Sequence, residues 1–250
     1  MQRFEHDGVE IAFLDEGEGE PIVLVHGFAS TAQVNWVGPG WFSTLKRAGR
    51  RVIALDNRGH GRSSKLYDPA GYHSNRMADD ARALLDHLGI PRADVMGYSM
   101  GARICAFLAL ERGERVRSAV FGGLGIHLVR SAGLPENIAE ALEAPSLAHV
   151  QDANGRMFRA FAEQTHSDLR ALAACIRGSR QSLPAEQVAK IEAPALIAVG
   201  TKDQIAGSAH ELAALMPRAR AFDIPGRDHM LSVGDKRFKE EVVRFLHDRS

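Results

Sequence analysis

Residues 97–101 read Gly-Tyr-Ser-Met-Gly, directly after the mostly apolar run 93–96. Beyond them Ala102, Ile104, Cys105, Leu108 and Ala109 form an apolar pattern of helix length. A strand that passes through glycine-X-serine-X-glycine into a helix implies a sharp turn, with the serine held in a strained backbone conformation and its hydroxyl exposed. Side chains at 97 and 101 would collide with the neighbouring strand and helix, which accounts for both glycines. Ser99 then stands at a helix N-terminus, where unpaired N–H groups and the dipole favour a developing negative charge.

On either side of this turn, short apolar runs alternate with helical periodicity. Strands are expected near 9–14, 22–25, 52–55, 93–96, 116–121, 195–199 and 221–224. Ile22, Val23, Leu24 and Val25 are apolar on both faces, as strands covered on both sides must be. Met77, Ala81, Leu84, Leu85 and Leu88 keep helical spacing and stop at Gly89, before Pro91. Ser208 and Glu211 have capping-box spacing, and Phe238, Val242, Phe245 and Leu246 mark a last amphipathic helix. This alternation predicts the α/β class, a mainly parallel central sheet flanked by helices. One stretch breaks it. Residues 128–189 show no strand pattern but short helices near 154–163 and 169–176, and are far longer than an ordinary connection of about six residues. The expected organisation is one domain, with a core of 1–127 and 190–250 and a helical insertion at 128–189.

Composition narrows the partners. The 250 residues carry 31 basic and 31 acidic side chains, a formal charge of zero. No long-range field draws such a chain to nucleic acid or to an anionic membrane, so a small, near-neutral molecule is expected. Cys105 and Cys175 lie in apolar helical patterns without paired spacing and read as buried thiols of a reducing compartment. The opening residues lack a basic segment followed by an apolar one, and no long uncharged apolar run occurs. A cytoplasmic protein without stable membrane insertion is expected; oligomeric state is not encoded in any of these features.

A serine hydroxyl is a weak nucleophile until a base takes its proton, and the base needs an acid to orient it. Asp203 follows the strand 195–199, and His229 follows the strand ending at Ile224. Each falls just past the C-terminal end of a strand, where open α/β sheets place their sites. The three follow one another in the chain order serine, acid, histidine. Asp223 lies inside a strand pattern, and Asp228 is too close to the histidine in sequence to face its ring. Two N–H donors for an oxyanion are expected from the backbones of Met100 and of Phe28, in the His26-Gly27-Phe28-Ala29 loop after strand 22–25.

Taken together, HGFA at 26–29, DNRGHGRS at 56–63, GYSMG at 97–101, GTKD at 200–203 and GRDHM at 226–230 resemble an α/β-hydrolase of the esterase, lactonase and haloperoxidase-like branch over nearly the whole chain. The resemblance implies a helical cap at 128–189, a structural loop at 56–63, and catalysis without cofactor or metal. Relatives acting on halides or epoxides need an aspartate where Ser99 stands, which disfavours those chemistries. HGFA, in place of a glycine-rich HGGG loop, implies an acyl site that usually excludes esters of tertiary alcohols.

Candidate pocket residues are Trp36, with Trp41 beside it, after the HGFA loop; His127 at the start of the insertion; and Met157, Phe158 and Phe161, a stripe that packs the insertion onto the core and can also touch substrate. Arg58, Arg62 and the other charged residues are expected to order loops or face solvent. The expected activity is hydrolysis of a small or medium carboxylic ester, thioester or lactone through an acyl-enzyme on Ser99. Alternatives with the same residues are perhydrolysis, acyl transfer and carbon-carbon hydrolysis. A ligand-binding receptor with slow or vestigial catalysis is the alternative from another class.

Overall fold

The computed structural model describes residues 1–249. Eight strands form one sheet: β1 (Gln2–His6), β2 (Val9–Glu16), β3 (Glu20–Val25), β4 (Arg50–Leu55), β5 (Ala93–Tyr98), β6 (Val116–Gly122), β7 (Ala195–Gly200) and β8 (Ala219–Ile224). Their order is β1-β2-β4-β3-β5-β6-β7-β8, parallel from β4 to β8, with β1 and β2 added antiparallel at one edge. Seven of these match the sequence expectation; β1 was not foreseen. Its Gln-Arg-Phe-Glu-His buries only Phe4 and joins β2 through Asp7 and Gly8, both at positive φ. An Asp-Gly turn between extended segments is a strong hairpin signal.

Helices follow in chain order: α1 (Trp41–Arg47), α2 (Ser74–His87), α3 (Met100–Glu111), α4 (His127–Arg130), α5 (Glu136–Glu143), α6 (Ala153–Gln164), α7 (Leu169–Gly178), α8 (Ala185–Val188), α9 (Ala209–Ala213), α10 (His229–Ser232) and α11 (Lys236–Asp248). The expected cap at Ser208 is present, its hydroxyl accepting from the Glu211 amide at 3.2 Å. Among the described residues, α4 to α8 occupy the whole interval between β6 and β7 without a strand, and α5 packs against α6 and α7.

Strand periodicity sorts the core into two layers. Val23, Val25, Ile53, Leu55, Val95 and Phe121 face α2 and α3. Ile22, Leu24, Val52, Ala54, Met96 and Val120 face α1 and α11, where Trp36, Trp41 and Phe238 fill the space. Both cysteines are buried and free, and burial pushes the Cys175 thiol up to about 12. No helix among the described residues is long and apolar enough to cross a membrane.

Candidate active site

The turn at Ser99 has the strained geometry its glycines suggest. Ser99 adopts φ 54° and ψ −114°, and its amide donates to the Gly122 carbonyl at 2.8 Å, tying the turn to β6. A Cβ on Gly97 would lie 2.1 Å from the Gly101 carbonyl oxygen, and one on Gly101 would lie 2.0 Å from that of Val25. Both clashes are with backbone, which cannot rotate away.

The carboxyl ends of β5, β7 and β8 bring three side chains together. His229 Nε2 lies 2.9 Å from Ser99 Oγ, and His229 Nδ1 lies 2.7 Å from Asp203 Oδ2. With the proton on Nδ1 donated to the carboxylate, Nε2 presents a lone pair to the serine hydroxyl. Asp203 Oδ1 accepts from the amides of Ile205 and Ala206 at 2.8 and 3.0 Å, so both carboxylate oxygens are engaged. His229 is 7% exposed. Asp228 and Asp223 are occupied elsewhere: Asp228 accepts from the Leu231 amide, and Asp223 pairs with His210.

The loop after β3 is held on both sides. Gly27 donates to Asn35 Oδ1 at 3.0 Å, Ala32 donates to Asp56 Oδ1 at 2.8 Å, and Ala29 sits at φ 56°. His26 donates from Nδ1 to the Gly27 carbonyl at 2.7 Å and accepts from the Asn57 amide at 2.9 Å. These bonds fix a neutral ring, and burial pushes His26 down to about 4. His60, stacked edge-on against His26 and Phe28, is pushed by burial, and next by His26, down to about 3; its Nε2 is buried without a partner among the described residues. Arg58 is buried against Asp80, fitting its expected loop-ordering role. The amides of Phe28 and Met100 donate to no protein acceptor among the described residues, and both residues line the space at Ser99.

Two cavities open at Ser99. The first, about 240 Å³, is lined by Phe28, Met100, Arg103, His127, Phe158 and others. The second, about 260 Å³, is lined by Tyr98, Phe158, Phe161, His229, Met230 and Val233 among others. His127, Phe158 and Phe161 line these cavities; His127 also donates through Nδ1 to the Ile205 carbonyl. Trp36, expected in the pocket, is instead fully buried in the layer against α1 and α11, edge-on to Trp41 at 6.0 Å, and lines neither cavity. Met157 packs against the core and lines neither cavity. Arg103, grouped above with solvated charges, is instead 5% exposed within α3. Tyr98 was also missed: its hydroxyl donates to the His229 carbonyl, an interaction between distant segments that no local pattern announces. Among the described residues no group of three or more His, Cys, Asp or Glu side chains is arranged to hold a metal ion.

A profile of the alpha/beta hydrolase fold matches residues 20–132. The chain belongs to the α/β-hydrolase superfamily. It is 28% identical to the non-heme chloroperoxidase CPO-A1 of Kitasatospora aureofaciens, over 96% of this chain and 97% of that protein. The structure of a hydrolase from Pseudomonas aeruginosa PA01 superposes with a TM-score of 0.81 at 26% identity, covering 98% of this chain and 97% of the other. That of Est816, an N-acyl homoserine lactone degrading enzyme, gives 0.76 at 27% identity, covering 97% and 99%. Among α/β-hydrolases the carboxyl edge of the sheet is the expected place for a site.

Proposed function

We propose that this α/β-hydrolase is a cofactor-independent serine hydrolase acting on a small or medium carboxylic ester, thioester or lactone. The observation that carries the reading is the unbroken hydrogen-bond chain from Ser99 through His229 to Asp203, opening on a cavity. His229 takes the Ser99 proton as Oγ attacks the carbonyl carbon, and Asp203 stabilises the imidazolium that results. The Phe28 and Met100 amides receive the developing oxyanion. His229 then protonates the leaving oxygen as the carbon-oxygen bond breaks. Water, deprotonated by the same histidine, resolves the acyl-enzyme and restores Ser99. Helices α4 to α8 act as a cap, contributing Phe158 and Phe161 to the cavity walls. The two buried thiols support a cytoplasmic location.

A complete chain of base, acid and unpaired amide donors favours turnover over a receptor role. Purified protein assayed on p-nitrophenyl esters, lactones and thioesters tests the reading. Ser99→Ala is expected to lower kcat by about 10⁴-fold or more; wild-type turnover in that variant overturns it.

A further inference from the structure

A guanidinium without a counter-ion lines the first cavity. Arg103 follows Ser99 by four residues, about one turn along α3, and so lies on the same side of that helix. Its Nη1 donates to the carbonyls of Leu128 and Gln181 at 3.2 and 2.7 Å, and its Nη2 to those of His127 and Ser131, both at 2.9 Å. These dipoles anchor the group between α3 and the cap but carry no net charge. The fifth donor, Nε–H, has no protein acceptor among the described residues.

No aspartate or glutamate lines this cavity, and Arg103 forms no ion pair among the described residues. Burial pushes the Arg103 guanidinium down to about 10, with no carboxylate acting against it. An enclosed cation lacking an opposite charge is costly, and a ligand that supplies one is favoured in proportion. The wall around it is suited to a polar group, since Ser131, Asn154 and Ser179 share the cavity.

The side of the scissile bond follows from proton transfer. His229 must reach the leaving oxygen, and it lines the second, apolar cavity. The leaving alcohol therefore belongs there, and the acyl chain in the cavity with Arg103, Phe28 and Met100. We propose that the enzyme selects acyl groups ending in a carboxylate, which Arg103 binds while Ser99 attacks the carbonyl at the other end. Substrates of this class are half-esters of small dicarboxylic acids, or lactones with a pendant carboxylate. Attack forms the serine ester and breaks the carbonyl carbon–oxygen bond; the leaving oxygen takes its proton from His229, departing as the alcohol from a half-ester and staying on the acyl chain as a hydroxyl from a lactone. Water then cleaves the serine ester and releases the dicarboxylate, hydroxylated where the substrate was a lactone. This inference rests on Ser99 being the nucleophile.

The test compares wild-type kcat/KM on mono-p-nitrophenyl esters of succinic, glutaric and adipic acid with the same esters bearing a terminal carboxamide. At one or more chain lengths the carboxylate should be preferred by about tenfold or more, the scale of one charged hydrogen bond. Arg103→Met should bring that ratio toward one, and Arg103→Lys should keep part of it; the wild-type ratio stands even if neither variant folds. Carboxamides turned over equally well or better at every length, with Ser99→Ala inactive on them, overturn the role of Arg103 alone. Turnover that survives Ser99→Ala overturns this inference together with the reading beneath it.

Discussion

The Tyr98 hydroxyl donates to the backbone carbonyl of His229, and the two rings lie 5.5 Å apart. The residue before Ser99 thus anchors the segment that carries His229. A Cβ on Gly123 would lie 2.7 Å from the Tyr98 ring, so the β6 end is bare where the phenol passes. Burial, and next the Asp203 carboxylate, push the Tyr98 hydroxyl well above its ordinary range, keeping it a neutral donor. Tyr98→Phe should cost about 1–3 kcal/mol of stability, because the enclosed carbonyl loses its donor. It should lower kcat with little change in KM, as the histidine loses its register. Urea unfolding and steady-state kinetics check both; unchanged kcat would show that the bond does not position His229.

Asp203→Asn keeps the shape of the site but removes the charge that orients Nδ1–H and stabilises the imidazolium. A fall in kcat of about 10⁴-fold is expected, by analogy with triad carboxylates elsewhere. Steady-state assays on an activated ester read it directly, and a loss of under tenfold would point to another acid.

Gly101→Ala places a methyl group 2.0 Å from the Val25 carbonyl oxygen, a backbone contact that no rotamer relieves. Destabilisation of about 3 kcal/mol or more is expected. By contrast, Gly113→Ala meets nothing within 4 Å and has no positive φ. Thermal unfolding of the two variants should therefore differ widely, and equal melting temperatures would contradict the packing at the turn.

Stability should fall as the medium is acidified from neutrality. His26 and His60 are held at about 4 and about 3 in the fold, whereas an unfolded imidazole titrates near about 6.5. Above that value neither state binds the proton, and the pair contributes its full stability. Below it the unfolded chain gains protons that the fold refuses, so stability is lost at up to about 1.4 kcal/mol per pH unit per histidine, until the native values are reached. Urea unfolding between pH 7 and pH 5, a window above the ordinary carboxylate range, measures the change. A flat or rising stability on acidification would contradict it.

Much of the site is legible in sequence because its chemistry is local. Gly97, Ser99 and Gly101 share one turn, and the ends of β7 and β8 deliver Asp203 and His229 by strand position alone. What escapes is side-chain direction in irregular segments and partners far apart in the chain. Trp36 follows the 26–29 loop closely in sequence, yet within the turn Gln33–Val37 its indole is buried in the core layer with Trp41 and not in a cavity wall. Tyr98 finds its acceptor 131 residues away. Arg103 did carry a signal, a single arginine within the apolar helix Met100–Glu111, although its four carbonyl acceptors come from segments that only folding brings near. The strand Gln2–His6 was announced by Asp7-Gly8 but hidden by its polar composition.

The most direct test of the central claim is covalent labelling with a fluorophosphonate, followed by mass spectrometry of the modified peptide. Wild-type protein should gain one adduct, on Ser99. Ser99→Ala should gain none there, and His229→Ala should react at a small fraction of the wild-type rate. A Ser99 that stays unmodified, or that reacts at the same rate without His229, contradicts an activated nucleophile at this position.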